Sequence, residues 1–169
     1  MKFEETQVSD NELEFLKKLA GTNKTIIEIG VFAGKVSLSL ESQGNTILSI
    51  DPYIAYDDQA TKFLQDAEKI FNEKRKNKRI VHIKETSENA LNYYEGYKDK
   101  VDGIFIDGDH NYESVKKDIE WIKYIKKGGW IAFHDYPWIQ FGVKQAVDEL
   151  VLNKYELIGT ENSIIAFRI

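Results

Sequence analysis

Five short apolar runs, each parted from the next by a stretch with helical spacing, constrain this fold more than any other feature of the chain. They are Thr25-Ile26-Ile27-Glu28-Ile29-Gly30, Thr46-Ile47-Leu48-Ser49-Ile50, Ile80-Val81-His82-Ile83, Val101-Asp102-Gly103-Ile104-Phe105-Ile106 and Trp130-Ile131-Ala132-Phe133. Runs of this length, rich in branched residues, read as buried strands. Parallel strands need long crossovers, usually helices, and those crossovers are right-handed. The pattern therefore predicts an α/β chain with a doubly wound, mainly parallel sheet and helices on both faces. Two further strands, about 155–159 and 163–168, meet at Glu161-Asn162 and predict a C-terminal antiparallel hairpin. Ligands of such a sheet bind outside the carboxyl ends of its strands.

The intervening stretches carry helix signals. Ser9 and Glu12 have the spacing of a capping box, opening a helix over 10–20 that Gly21 ends. Val36, Leu38 and Leu40 alternate like a strand, but their place between two better strands predicts a short crossover helix stopped near Gly44-Asn45. Ala60, Phe63, Leu64, Ala67, Ile70 and Phe71 trace one stripe of a helix over about 57–76. Ser87 reads as the cap of a helix that closes near Gly96. The next helix carries Val115, Ile119, Ile122 and Ile125 inward and ends at Gly128-Gly129, and a last one covers about 141–153. The expectation is one domain over 1–169, with 1–21 as a helical extension.

Composition excludes several classes. The chain of 169 residues has no cysteine, which removes disulfides, thiol catalysis and thiolate metal sites. Its start lacks a basic segment followed by an apolar one, and no apolar run approaches the ~20 residues that span a bilayer. A cytoplasmic protein without a membrane partner is expected. The net charge of −5 speaks against nucleic acid, and the cluster Lys74 to Arg79 reads as the cation-rich end of a helix.

Polar residues that strand packing does not need gather at four strand ends: Gly30 to Gly34, Asp51, Asp107 to His110, and His134-Asp135. Any one alone would be a turn or a cap. All four fall on one edge of the predicted sheet, which points to a small-molecule site. The glycine turn spells G-x-x-x-G, not the dinucleotide G-x-G-x-x-G, and Phe32 stands where backbone would approach a pyrophosphate. A nucleoside without a pyrophosphate escapes that objection. Asp51, at the end of the second strand, suits the hydroxyls of its ribose. Tyr53, Tyr56, Tyr112, Tyr136 and Trp138 follow the same strand ends and can wall an acceptor pocket.

Glu28-x-Gly30-x-x-x-Gly34, Asp51-Pro52, Ser87, Ile106-Asp107-Gly108-Asp109-His110-Asn111-Tyr112-Glu113 and Gly128-Gly129-Trp130-Ile131-Ala132-Phe133-His134-Asp135-Tyr136 resemble the class I S-adenosylmethionine-dependent methyltransferases. The match is nearest to the methyltransferase family 24 group, related to macrocin-type sugar O-methyltransferases, and covers roughly 22–169. The resemblance implies a Rossmann-like sheet of seven strands with the last antiparallel. It implies S-adenosylmethionine as cofactor, with Glu28, Gly30 and Gly34 at its methionine, Asp51 at its ribose and Ser87 near its adenine. It implies a divalent metal at positions Asp107, His134 and Asp135, and a base at His110. The relatives usually carry an acid where this chain has His134, so Mn²⁺, Fe²⁺ or Zn²⁺ is as credible as Mg²⁺. The expected acceptor is a hydroxyl of a small molecule, sugar or glycan, in a site that is open, completed by a second subunit of a homo-oligomer, or matched to a large substrate. The same residues leave three rivals: a nucleotide-dependent oxidoreductase, a non-catalytic nucleoside-binding module, and a metal hydrolase using Asp107, Asp109, His110, His134 and Asp135.

Overall fold

The computed structural model describes residues 8–92 and 100–169. In chain order the elements are α1 (Asp10–Ala20), β1 (Thr25–Ile29), α2 (Lys35–Glu41), β2 (Thr46–Ile50), α3 (Asp58–Lys74), β3 (Ile80–Ile83), α4 (Ser87–Leu91), β4 (Val101–Ile106), α5 (Tyr112–Ile119), β5 (Ile125–Phe133), α6 (Gly142–Leu150), β6 (Glu156–Glu161) and β7 (Ile164–Arg168). The strands form one sheet in the order β3-β2-β1-β4-β5-β7-β6. The first five are parallel, and β7 runs antiparallel to both β5 and β6. Both faces of the sheet are covered. Ile27, Ile29, Ile104, Ile106 and Phe133 enter one apolar cluster, while Ile26, Phe105, Trp130 and Ala132 enter the other. Burial on both faces is why these strands read as continuous apolar runs.

Helix α1 carries the expected capping box, Ser9 and Glu12 bonding reciprocally, and buries Leu13, Leu16 and Ala20. The ambiguous segment is a helix. Its strand-like period arises because Ser37, a polar residue, is buried beside Val36 and Leu40. Past α3, Lys76 pairs with Glu73 at 2.7 Å and Lys78 with Glu41 at 3.1 Å. Among the described residues no helix is long and apolar enough to cross a membrane.

Two expectations are corrected. Thr86, not Ser87, caps α4, its side chain accepting from the Asn89 amide at 3.2 Å; Ser87 is the first helical residue. Gly96, the expected stop, lies outside the described residues. The second correction concerns Gly128-Gly129, which do not end a helix. Helix α5 tightens into a 3-10 turn over Glu120–Tyr124, and Ile125 already begins β5. The glycines sit where the β4–β5 register slips, Val101 opposing Ile125 but Gly103 opposing Trp130. Bulges of this kind bend a strand. Here the Trp130 indole lies over Gly103, where a Cβ would come within 2.0 Å of the ring. The chain's end bonds the glycine pair, Gly128 donating to Ile169 and Ile169 to Gly129.

Candidate active site

The turn after β1 is built around one carboxylate. Gly30 and Gly34 both have left-handed backbone (φ +83° and +79°), and Phe32 shares it at +51°. A Cβ on Gly30 would lie 2.0 Å from the carbonyl oxygen of Asp107, so only glycine lets β1 and β4 end side by side. Asp51 Oδ2 accepts from the amides of Val31 (2.8 Å) and Phe32 (3.0 Å), and Oδ1 from Tyr53 (2.7 Å). The Tyr53 hydroxyl returns to the Phe32 carbonyl at 2.8 Å. A carboxylate offers about four acceptor positions. Three hold the turn, and one on Oδ1 remains for a ligand hydroxyl. The Val31 and Phe32 amides are committed to Asp51 rather than held out for a phosphate.

Beneath the turn, Glu28 is buried and accepts from Ser37 Oγ, which itself meets Ser49 Oγ at 2.6 Å. Burial pushes the Glu28 carboxyl up to about 8 against the Ser37 hydrogen bond, with the charges of Asp107 and Asp51 adding to the rise. A neutral carboxyl can donate as well as accept. At the far end, Ser87 Oγ donates to Asp118, a buried carboxyl on α5 raised to about 7, chiefly by that burial.

The corner between β4 and β5 gathers the titrating groups. His134 Nδ1 lies 3.1 Å from Asp107 Oδ1 and 3.3 Å from Asp135 Oδ2, while its Nε2 is 3.5 Å from Glu12 Oε1. His110 Nε2 lies 3.1 Å from Asp135 Oδ2 and 3.8 Å from Asp107 Oδ1. Both His110 Nε2 and His134 Nδ1 are buried, yet neither has an aligned hydrogen bond. Phe141 stacks on His110 with ring centres 4.8 Å apart. Asp135 is held in left-handed backbone at φ +56°, a sparsely populated state that persists when surrounding structure enforces it. Burial works to lower His134, but Asp107 and Asp135 prevail and carry it up to about 10. Asp107 likewise outweighs burial in raising His110. Asp107 is lowered, burial opposing and the two histidines prevailing.

One cavity of about 920 Å³ brings together Glu28, Gly30, Asp51, Ser87, Asp107, His110, His134 and Asp135. Gly34 stands apart from its lining. It precedes α2, and a Cβ there would strike the Phe71 ring at 2.1 Å, so its part is to let the turn close. Asp109 also lines the cavity, its exposed carboxylate accepting from Tyr56 (3.0 Å) and Ser114 (2.9 Å), while Asn111 caps α5. Three participants have no signal in the strand-end pattern: Glu12, Asp118 and Phe141. Glu12 serves as a cap member in the sequence, and Asp118 lies on a helix face. A carboxylate among apolar positions, as at Asp118 beside Val115 and Ile119, was the available hint.

A methyltransferase domain family model matches residues 27–136, from β1 to just past β5. An uncharacterised protein of Acanthamoeba polyphaga mimivirus is 34% identical over 165 residues, covering 85% of this chain and 72% of its own. Among solved structures, the O-methyltransferase NovP aligns with a TM-score of 0.69 at 17% identity, over 94% of this chain and 79% of that one. The O-methyltransferase from Bacillus cereus, in complex with S-adenosylhomocysteine, aligns at 0.66 and 18% identity, over 97% and 83%. A TDP-rhamnose 3'-O-methyltransferase of calicheamicin biosynthesis gives 0.66 and 16%, over 93% and 76%. At such identities these structures speak for the fold, and the family match speaks for the rest: this chain belongs to the methyltransferase domain family and is an S-adenosylmethionine-dependent methyltransferase.

Proposed function

We propose that the methyl group goes to a hydroxyl oxygen of a small molecule, sugar or glycan, with His110 taking the hydroxyl proton. The observation that carries this reading is the convergence of His110 and His134 on Asp107 and Asp135, at the wall of the cofactor cavity. A transfer to oxygen needs a base, and an imidazole without a committed hydrogen bond at Nε2 supplies one. The acceptor oxygen attacks the methyl carbon, the carbon–sulfur bond breaks, and its electron pair stays on sulfur to leave S-adenosylhomocysteine. His110 receives the proton. Asp135 and Asp107 then face a cation that they stabilise.

The cofactor lies along the cavity, its methionine over Glu28 and the Gly30–Gly34 turn, one ribose hydroxyl on Asp51 and its adenine toward Ser87. A sugar acceptor is in keeping with the TDP-rhamnose enzyme among the structural neighbours.

Asp107, His134 and Asp135 offer one nitrogen and two oxygens within 4.8 Å of one another, and the nitrogen is one of the buried atoms without an aligned hydrogen bond. That set fits a divalent ion, and its imidazole suits a transition metal better than Mg²⁺. Such an ion, when bound, lowers the pKa of an acceptor hydroxyl. His134 must shed its proton to bind one, so occupancy competes with the ion pairs described above.

His110→Ala tests the reading. Turnover should fall about 10²–10⁴-fold while S-adenosylhomocysteine affinity, read by calorimetry, stays within error. Unchanged turnover removes His110 from the reaction.

A further inference from the structure

Asp118 lines the cofactor cavity, yet methyl transfer gives it nothing to do. It stands on α5 and is 3% exposed. Its Oδ1 accepts one hydrogen bond, from Ser87 Oγ, while Oδ2 has no partner among the described residues. Burial raises this carboxyl to about 7, the Ser87 bond opposing and the charge of Asp109 adding to the rise. No cation offsets it. An acceptor kept inside a protein at that cost calls for a partner, and the cavity is where one can arrive.

The surroundings say what kind of partner. With the ribose on Asp51 and the sulfur at the β4–β5 corner, the base is left the part of the cavity walled by Thr86, Ser87, Gly108, Ser114 and Asp118. Gly108 leaves room beside the carboxyl, since a Cβ there would stand 3.7 Å from Asp118 Oδ2. The hydroxyl protons of Ser87 and Ser114 are already given, to Asp118 and to Asp109. This end of the cavity therefore presents a free acceptor and asks for a donor. In adenosine the only N–H donor on the base is the amine at C6. A 6-oxopurine sets a carbonyl oxygen at that place, which would oppose the oxygen of Asp118.

We propose that Asp118 selects the base of the cofactor, its Oδ2 accepting from the 6-amino group of adenine, so that 6-oxopurine forms of the cofactor are rejected. The assignment rests on the placement of the cofactor given above, and sharpens it to one atom on a helix that the strand-end residues do not include.

Two forms of the product test it: S-adenosylhomocysteine, and S-inosylhomocysteine, which carries an oxygen in place of the amine. Calorimetry on the full chain should find the adenosyl form bound roughly tenfold tighter or more, because a site built to accept from an N–H rejects the analogue that lacks it. Asp118→Asn can keep its oxygen on Ser87 and set an NH₂ where Oδ2 stands, a donor facing the base. It should bind the inosyl form at least as tightly as the adenosyl form. Asp118→Ala, with nothing to offer either base, should show no preference. Each ratio is read within one protein, so a general loss of stability does not imitate the result. Wild type binding both forms equally overturns the assignment, as does either variant that keeps the wild-type ratio. Asp51→Ala separates this from the placement of the cofactor. If it abolishes binding while the Asp118 variants keep the wild-type ratio, the base reading alone falls. If affinity is unchanged in Asp51→Ala and in both Asp118 variants, the placement falls with it.

Discussion

Glu12 Oε1 lies 3.5 Å from His134 Nε2, so a helix that precedes the matched family segment reaches the strand end where the chemistry sits. The same carboxylate accepts from the amide and hydroxyl of both Ser9 (2.7 and 2.8 Å) and Ser163 (3.0 and 2.6 Å). It is therefore a knot tying α1, the β6–β7 turn and the active corner together. Burial works to raise its carboxyl, yet the hydrogen bonds from Ser163 and Ser9 hold it down to about 2.

Glu12→Ala strands donors inside the protein, each at roughly 1–3 kcal/mol. A net loss of about 3 kcal/mol is expected, or about 6–12 °C in Tm for a chain of this size. Glu12→Gln, which keeps one acceptor oxygen, should lose less. Thermal unfolding followed by circular dichroism decides it; a Glu12→Ala protein melting with wild type would show that the knot carries no stability.

Asp51→Asn should weaken cofactor binding more than its change in shape suggests. The carboxylate holds three amides with two oxygens, and an asparagine brings one oxygen and an NH₂ that opposes N–H donors. The turn over Val31 and Phe32 should loosen, and S-adenosylhomocysteine affinity should fall tenfold or more. Calorimetry with Asp51→Asn and Asp51→Ala compares the two. Equal and undiminished affinity in both would mean that the turn keeps its shape without the carboxylate.

Much of this site was legible because parallel strands buried on both faces leave their polar residues at one edge. Gly30, Asp51, Asp107, His110, His134 and Asp135 stood out in the sequence as interruptions of apolar runs. The remainder depends on contacts between segments far apart in the chain. Glu12 meets Ser163 across 151 positions, and Asp118 meets Ser87 across 31, with no local pattern to announce either. The Gly128-Gly129 reading failed for a related reason. A glycine pair after a helical stretch is a good stop signal, but here a Cβ on Gly129 would lie 2.6 Å from the Asp102 carbonyl oxygen on β4, a cross-strand contact.

Two glycines with positive φ separate strain from close contact. Gly21 (φ +61°) has open space where a Cβ would go, whereas at Gly30 (φ +83°) that atom would sit 2.0 Å from the Asp107 carbonyl. Gly21→Ala should cost about 1–3 kcal/mol, the penalty of a positive-φ backbone that glycine alone adopts readily. Gly30→Ala should cost clearly more and abolish S-adenosylhomocysteine binding, because β1 and β4 can no longer end together. Denaturant unfolding and calorimetry on both proteins would expose a mistake: similar losses would mean that the Asp107 corner can move aside.

Two carboxyls that the native protein keeps protonated should make stability fall as pH rises. Glu28 is raised from 4.5 to about 8 and Asp118 from 3.8 to about 7, burial leading in both. Between those values the unfolded chain has already released protons that the native state retains, so the unfolded state binds fewer and stability declines with pH. The decline begins near pH 4 and is complete by about 8. His134, raised from 6.5 to about 10, adds a loss of the same sign at higher pH, its ion pairs being intact below 6.5 and gone above about 10. The slope of the wild type therefore mixes three groups, and comparison between variants separates them. Asp118→Asn retains an oxygen for Ser87 but has no proton to lose, so its stability should decline less steeply than wild type between about pH 4 and 7, the remaining slope there being that of Glu28 and, above 6.5, His134. Glu28→Gln should remove the part that extends to about 8. Urea midpoints measured across this range for wild type and both variants give the answer, and parallel curves for all three would place the titrating groups elsewhere.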